Sequence, residues 1–357
     1  MQLVVPQKGS RRDLLRLQHT ADAGKLLRIE QWLERLLARE GENALNQVRD
    51  EARALAGELH LESQFKHLDR VIAALLGYDP ASVELFQSLA KHLNDRPPMI
   101  AEEQPGIDRT LQAFVESYFS NYIEGKGTPF ELTEAHRIVV TDRPLQDRED
   151  DSHDILGTFN SILDSRARAD QALDFDAFLR QLRSWNRQVT FSRSERGAGR
   201  LKSKPNRVGA YRFVAPELVA GTLRKGWELI AAASVPSVRA ALSLFVVLEV
   251  HPFPDGNGRT ARLAMNLALS AAGLTRIIVP TVFRKDYLLA LQRLRNVNPE
   301  PYVRMLRQAA AFSRWLDCGS QAKCFAQLRE SNALAEPKEG GLRLPQPQQP
   351  LRARASS

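Results

Sequence analysis

Apolar side chains recur at helical spacing through most of the chain, a period that predicts a mostly α protein. Lys25 to Arg39, Ala44 to Leu59 and Phe65 to Leu76 place Leu, Ala, Val and Ile among Arg and Glu at three- and four-residue intervals, and Pro80 opens another helix near Ser82. The stretch from Arg96-Pro97-Pro98 to Gln104-Pro105-Gly106 reads as a linker. Beyond it, Leu111, Phe114, Val115, Tyr118, Phe119, Tyr122 and Ile123 form one amphipathic stripe. Thr141 to Asp151, with seven charges, reads as a solvated loop, and helical patterns return at Asp154 to Leu163 and Phe175 to Asn186. Between Lys204 and Val214 turn residues and a short β-prone run predict a hairpin. Val235 to Val250 is so apolar that a largely buried helix is expected, a long strand fitting less well. Thr260 to Ala272 is helical and stops at Gly273, and further helices run to about Ala326. From Glu336 on, Pro, Gln, Arg and Ser dominate, the composition of a disordered tail.

These patterns divide the chain into an N-terminal helical domain over 1–105, a central region over 106–312 and a C-terminal helix end with its tail over 313–357. At 357 residues and 43 % hydrophobic, the chain can bury one sizeable core plus a smaller helical domain. No run of about 18 apolar residues predicts a membrane span, and Met1 to Lys25 lacks the apolar core of a signal peptide. The two cysteines, Cys318 and Cys324, have a spacing that suits neither a disulfide framework nor a zinc site, so a cytoplasmic setting is expected. The net charge of +8 comes from scattered arginines, among them Arg343, Arg352 and Arg354 in the tail. Arg11 to Arg28 could form a helix-turn-helix with its turn near Ala23-Gly24, but no basic stripe with interleaved aromatics accompanies it. Nucleic acid is therefore not the expected partner.

One segment carries most of the chemistry. His251-Pro252-Phe253-Pro254-Asp255-Gly256-Asn257-Gly258-Arg259-Thr260-Ala261-Arg262 sets a base, a carboxylate, a glycine-rich turn and two arginines between two apolar segments. Gly256-Asn257-Gly258 can take positive φ and gather amide N–H groups into an anion nest that opens onto a helix N-terminus. Arg259 and Arg262, three apart, can reach one polyphosphate, and Asp255 suits Mg²⁺, which prefers one or two carboxylates plus phosphate oxygens. His251, with an ordinary pKa near 6.5, is a plausible general base. Phe253 looks like the anchor of the loop.

The segment resembles the signature of the Fic family, His-x-Phe-x-(Asp/Glu)-Gly-Asn-Gly-Arg-x-x-Arg, at all eight fixed positions. The resemblance implies a Fic-type helical domain with a small β-hairpin flap, preceded by the N-terminal helical domain. It also implies an enzyme that transfers AMP from ATP to a Ser, Thr or Tyr hydroxyl of a target protein. His251 would be the base, Asp255 the Mg²⁺ ligand (Mn²⁺ could replace Mg²⁺), and Gly256, Asn257 and Gly258 the holders of the α- and β-phosphates. Arg259 and Arg262 would bind the outer phosphates, Arg262 nearest the γ-phosphate.

Upstream, Ser120-Asn121-Tyr122-Ile123-Glu124-Gly125 is similar to the family's inhibitory-helix motif, (Ser/Thr)-x-x-x-Glu-(Gly/Asn). By that likeness a helix over about 106–125 precedes a core over about 130–312, and Glu124, with Ser120, would block the γ-phosphate site by pairing with Arg262. Gly209-Ala210-Tyr211-Arg212 resembles the flap turn, although Pro216 arrives early for a long second strand. Tyr287 falls in the aromatic region that lines the family's adenine pocket; Leu288 replaces the second aromatic, and Arg295 the asparagine, with Asn296 and Asn298 just after. Arg284, Lys285, Arg293 and Arg295 read as a solvated helix face. The implied partner is a protein bearing a hydroxyl residue, and the chain could also pair as a homodimer. Two alternatives remain: the same fold moving another phosphate-containing group or removing AMP, and a non-catalytic, regulatory or DNA-binding member of a toxin–antitoxin system.

Overall fold

A computed structural model describes residues 23–60, 62–124, 130–167, 174–192 and 197–344. Gly125, the Arg11–Arg12 pair and the end of the expected tail, with Arg352 and Arg354, lie outside them. About 70 % of the described residues are helical, in 13 helices, with a single two-stranded sheet among them. The chain gathers into two compact units, residues up to 84 with 203–225, and residues 85–202 with 226 onward.

In the first unit, α1 (Ala23–Leu59) merges two expected helices across a kink at Gly41, whose φ of 81° only glycine takes without strain. Ala23 and Gly24 are already helical, so the turn of a helix-turn-helix is absent there. α1 packs on α2 (Glu62–Leu76) through Leu33, Leu45, Val48, Leu68 and Ile72. Arg49, 1 % exposed, meets the carboxylates of Asp69 and Glu84. Glu84 belongs to α3 (Pro80–Asp95), which begins at the proline the sequence marks. The hairpin pairs β1 (Arg207–Val208) with β2 (Tyr211–Arg212) antiparallel. Gly209 supplies the positive φ of its turn, and a 3₁₀ turn at Pro216–Leu218 follows the short second strand.

The second unit holds α4 (Arg109–Tyr122), α5 (Leu132–Thr141), α6 (Glu149–Ala167) and α7 (Phe175–Val189), followed in chain order by α8 (Val219–Ala232), which begins in the first unit. Then come α9 (Pro236–Val250), α10 (Asn257–Ser270), α11 (Arg284–Arg295), α12 (Glu300–Trp315) and α13 (Gln321–Glu330). Every residue from Ala240 to Val250 is buried, the all-round burial that an all-round apolar helix requires. α10 packs along α9, and α4 packs against α6.

α4 is welded to α10 by a buried polar network. The Glu116 carboxylate takes two hydrogen bonds from Arg276, at 2.6 and 2.7 Å, and one from Asn266 Nδ2 at 2.8 Å. Asn266 also bonds both the carbonyl and the amide of Ile277. Arg276 is fully buried, and its charge is tolerated because Glu116 answers it. Glu116→Ala leaves that guanidinium unanswered, an expected loss of about 3–5 kcal/mol. The thermal midpoint followed by circular dichroism should fall by about 10 °C.

One loop expectation is corrected, and two other segments gain detail. The charged segment 141–151 is not simply solvated: α6 starts at Glu149, and the Arg148 guanidinium lies 3.6 Å above the Phe130 ring. The 96–106 linker is tied down where Glu102 bridges Leu274 and Glu103 N–H donates to the Gly273 carbonyl. Cys318 and Cys324 are buried free thiols whose sulfurs come within 3.7 Å, closer than their sequence spacing suggests. No helix among the described residues is long and apolar enough to cross a membrane.

Candidate active site

α9 delivers His251 to the site. Pro252 ends the helix, and His251 caps it in the left-handed region, with φ 51° and ψ 58° and its N–H on the Val247 carbonyl. The imidazole Nδ1 lies 3.4 Å from the Leu248 carbonyl. Burial pushes the His251 pKa down to about 4, and the positive charges of Lys202 and Arg295 act in the same direction. The ring is therefore neutral over the whole physiological range, free to accept a proton but a weaker base than an unperturbed imidazole.

The turn after His251 is held from inside. Asn257 accepts from the Phe253 N–H and donates to the Phe253 carbonyl, both at 2.8 Å, while the Phe253 ring is fully buried. The Asn257 side chain is thus committed to the loop, and its backbone is the part that can face a phosphate. Gly256, φ 74°, lies so close to Thr190 and Asn186 that a side chain there would collide. Asn186 donates to the Asp255 carbonyl at 2.8 Å and accepts from Gly199 N–H at 2.9 Å. The sequence reading missed this bracket; its only signal is a polar residue on the otherwise apolar buried face of α7. Asp255 sits partly exposed at the mouth, its Oδ1 accepting the Gly256 N–H.

α10 then begins, with its first amides and the positive end of its dipole facing Glu124. A Cβ at Gly258 would overlap the Glu124 carboxylate, so the absence of a side chain is what lets that acid lie on the helix terminus. Glu124 Oε1 accepts from Arg262 Nη2 at 2.5 Å. Arg262 also donates to the Ser120 hydroxyl at 2.9 Å and to its carbonyl at 2.7 Å. Arg259 donates to Asn121 at 3.1 Å and pairs with Asp154 at 3.0 Å. Asp154 is a second residue the sequence reading took only as a helix start. Arg262 Nη1 and Arg259 Nε are buried with no hydrogen-bond partner among the described residues. Two orphaned guanidinium donors beside a helix N-terminus suit an anion.

The base-pocket candidates are less convergent. Tyr287 is buried, and burial raises its pKa, with Arg262 and Glu124 in electrostatic range. Leu288, Asn296 and Asn298 are exposed. The solvated-face expectation for the basic residues of α11 holds for Lys285 and Arg293 only. Arg284 donates to the Ile123 carbonyl at 3.1 Å, and Arg295 pairs with buried Glu249 at 2.7 Å. No group of three or more His, Cys, Asp or Glu among the described residues could cage a metal. A single carboxylate at a phosphate nest fits Mg²⁺, which takes the rest of its shell from phosphate and water.

Residues 174–269 match the model of the Fic/DOC family. That segment resembles a Fic domain. The match runs from the start of α7 to the end of α10, and so contains His251, the nest and both arginines but not α4. The chain is 35 % identical over 111 residues to protein adenylyltransferase fic-1 of Caenorhabditis elegans, covering 30 % of this chain and 22 % of that one. It is 26 % identical over 240 residues to protein adenylyltransferase Fic of Nematostella vectensis, covering 64 % and 55 %. The chain thus spans between about a fifth and just over half of the length of these relatives. In structure it is similar to Fic-1 from C. elegans, with a TM-score of 0.51 at 18 % identity, covering 91 % of this chain and 95 % of that one. The likeness in helical fold therefore extends beyond the matched segment.

Proposed function

We propose that the protein is an adenylyltransferase that moves AMP from ATP to a Ser, Thr or Tyr hydroxyl of a target protein in the cytoplasm, and that Glu124 holds it in check. One observation carries the reading: a carboxylate occupies the phosphate-binding guanidinium and helix terminus that a nucleotide would need. The Fic domain and its likeness to proteins named adenylyltransferase support the chemistry.

In this mechanism the hydroxyl is held beside His251, and the imidazole takes its proton as the oxygen attacks the α-phosphorus. The bond to the bridging oxygen breaks, AMP stays on the target, and pyrophosphate leaves. The amides of Gly256, Asn257 and Gly258 hold the α- and β-phosphates, while Arg259 and Arg262 take the outer charge. Asp255 would hold Mg²⁺, which when bound neutralises charge on the phosphates. Such transfers depend mainly on positioning and charge neutralisation.

A second reading, removal of AMP, draws on Glu124 lying within electrostatic range of His251, where it could orient a water. Incubating purified protein and lysate with α-labelled ATP, followed by mass spectrometry, tests the main reading. Transferred AMP supports it; release of AMP from modified proteins, without transfer, favours the second.

The pH profile is a separate check. In Glu124→Gly protein the transfer rate should stay flat from pH 8 to about 5 and fall tenfold per unit below about pH 4. Activity is lost as pH falls because only the neutral imidazole accepts a proton. Removing Glu124 takes away a charge that raises the His251 pKa, a change that by itself moves the limb down. A midpoint near 6.5 would mean an imidazole that the fold does not perturb.

A further inference from the structure

Lys202 takes no part in the steps above, yet it is only 4 % exposed, and lysine is seldom buried so far. Its ammonium donates to the Val250 carbonyl at 3.1 Å, and its backbone N–H donates to the Pro252 carbonyl at 2.9 Å. Val250 and Pro252 flank His251. We propose that Lys202 is a positioning residue that clamps the backbone on both sides of His251 and so fixes where the imidazole stands. The inference rests on His251 being the base.

The need for a clamp is written in the two prolines. The carbonyls of Leu248 and Val250 would ordinarily take the N–H groups four residues on, but those positions are Pro252 and Pro254, which have none. The His251 ring itself approaches the Leu248 carbonyl, and Lys202 supplies the donor for Val250. A cation at this C-terminal end of α9 also meets the negative end of the helix dipole. His251 is held in a left-handed conformation that a non-glycine residue keeps only when its surroundings fix it. Among the described residues, Lys202 and Arg295 disfavour protonation of the ring, and Glu124 favours it. Burial drives the Lys202 pKa down to about 8, so at neutral pH the clamp is still mostly cationic.

The test uses the full chain with Glu124→Gly, labelled with ¹³C-histidine, and adds Lys202→Met or Lys202→Arg. Loss of the clamp should reduce kcat on the order of 100-fold, as an ångström-scale displacement of a reacting group does, and leave KM for ATP nearly unchanged. The midpoint of the His251 ring resonance should move up by about half a unit or more. Lys202→Arg should recover most of both. The ring titration needs no transfer activity, so it decides the clamp even if the transfer reading fails. A folded Lys202→Met protein with unchanged kcat and unchanged midpoint overturns the proposal. Should Lys202→Met fail to fold, Lys202→Gln keeps a donor without the charge, and it must still raise the midpoint; an unchanged midpoint there overturns it equally.

Discussion

Glu124→Gly protein should transfer AMP, to itself or to a target, roughly tenfold or more faster than wild type, equivalent to about 1.4 kcal/mol of barrier. In the wild type the γ-phosphate of ATP must displace a carboxylate that already holds Arg262 at 2.5 Å and lies against Gly258. With glycine at 124, the guanidinium and the first amides of α10 become available together. Some stability is lost, because Arg262 is buried and loses its carboxylate partner while keeping its bonds to Ser120. Adding Arg262→Ala should make the enzyme slow again, since the released arginine is what the first change makes available. Rates from labelled ATP at matched protein concentration settle the matter. Equal rates for wild type and Glu124→Gly would sink the inhibitory reading and leave Glu124 as an ordinary helix-end acid.

His251→Ala in the Glu124→Gly background should lower transfer by about 100- to 10,000-fold, the usual contribution of a general base, or more. Nucleotide binding should stay close to that of the parent. The reason is the division of labour in the proposed mechanism: the phosphates would meet the nest and the arginines, whereas the imidazole would serve only the attacking hydroxyl. Its neighbour Phe253 and the Asn257 bracket, which hold the turn, are untouched by the change. Calorimetric titration with ATP separates the two effects. Parental transfer rates in a clean His251→Ala preparation would remove the histidine from the chemistry.

The core of this arrangement was legible in the sequence because it is local. Residues 251–262 lie within one turn, and glycine, proline and arginine state their roles through backbone freedom and charge. The helices of the second unit were legible too, since Ala240 to Val250 could only be buried. What the sequence could not show were partners distant along the chain. Asp154 meets Arg259 and Asn186 meets Asp255 across intervals where no periodicity links them. The basic residues of α11 misled for a related reason: Arg295 looks like solvated charge until Glu249, buried on another helix, stands opposite it. Gly41 marks a boundary the periodicity shows, because its non-helical backbone breaks the path between the two expected helical segments.

The Glu116–Arg276–Asn266 network has a consequence for how such a brake can be let off. Leu111 to Ser120 are all buried, so α4 is as much part of the protein's interior as α10. A shortened chain beginning after residue 125 would not be an unleashed enzyme but a protein missing a wall, expected to aggregate. Nor can an activator peel the helix away at any modest energetic cost. If Glu124 is the brake proposed above, release would happen at the last turn, by swinging one carboxylate aside while its scaffold stays put. The trigger would then act on the few residues around Glu124, and the off-state would be a matter of one side chain's orientation.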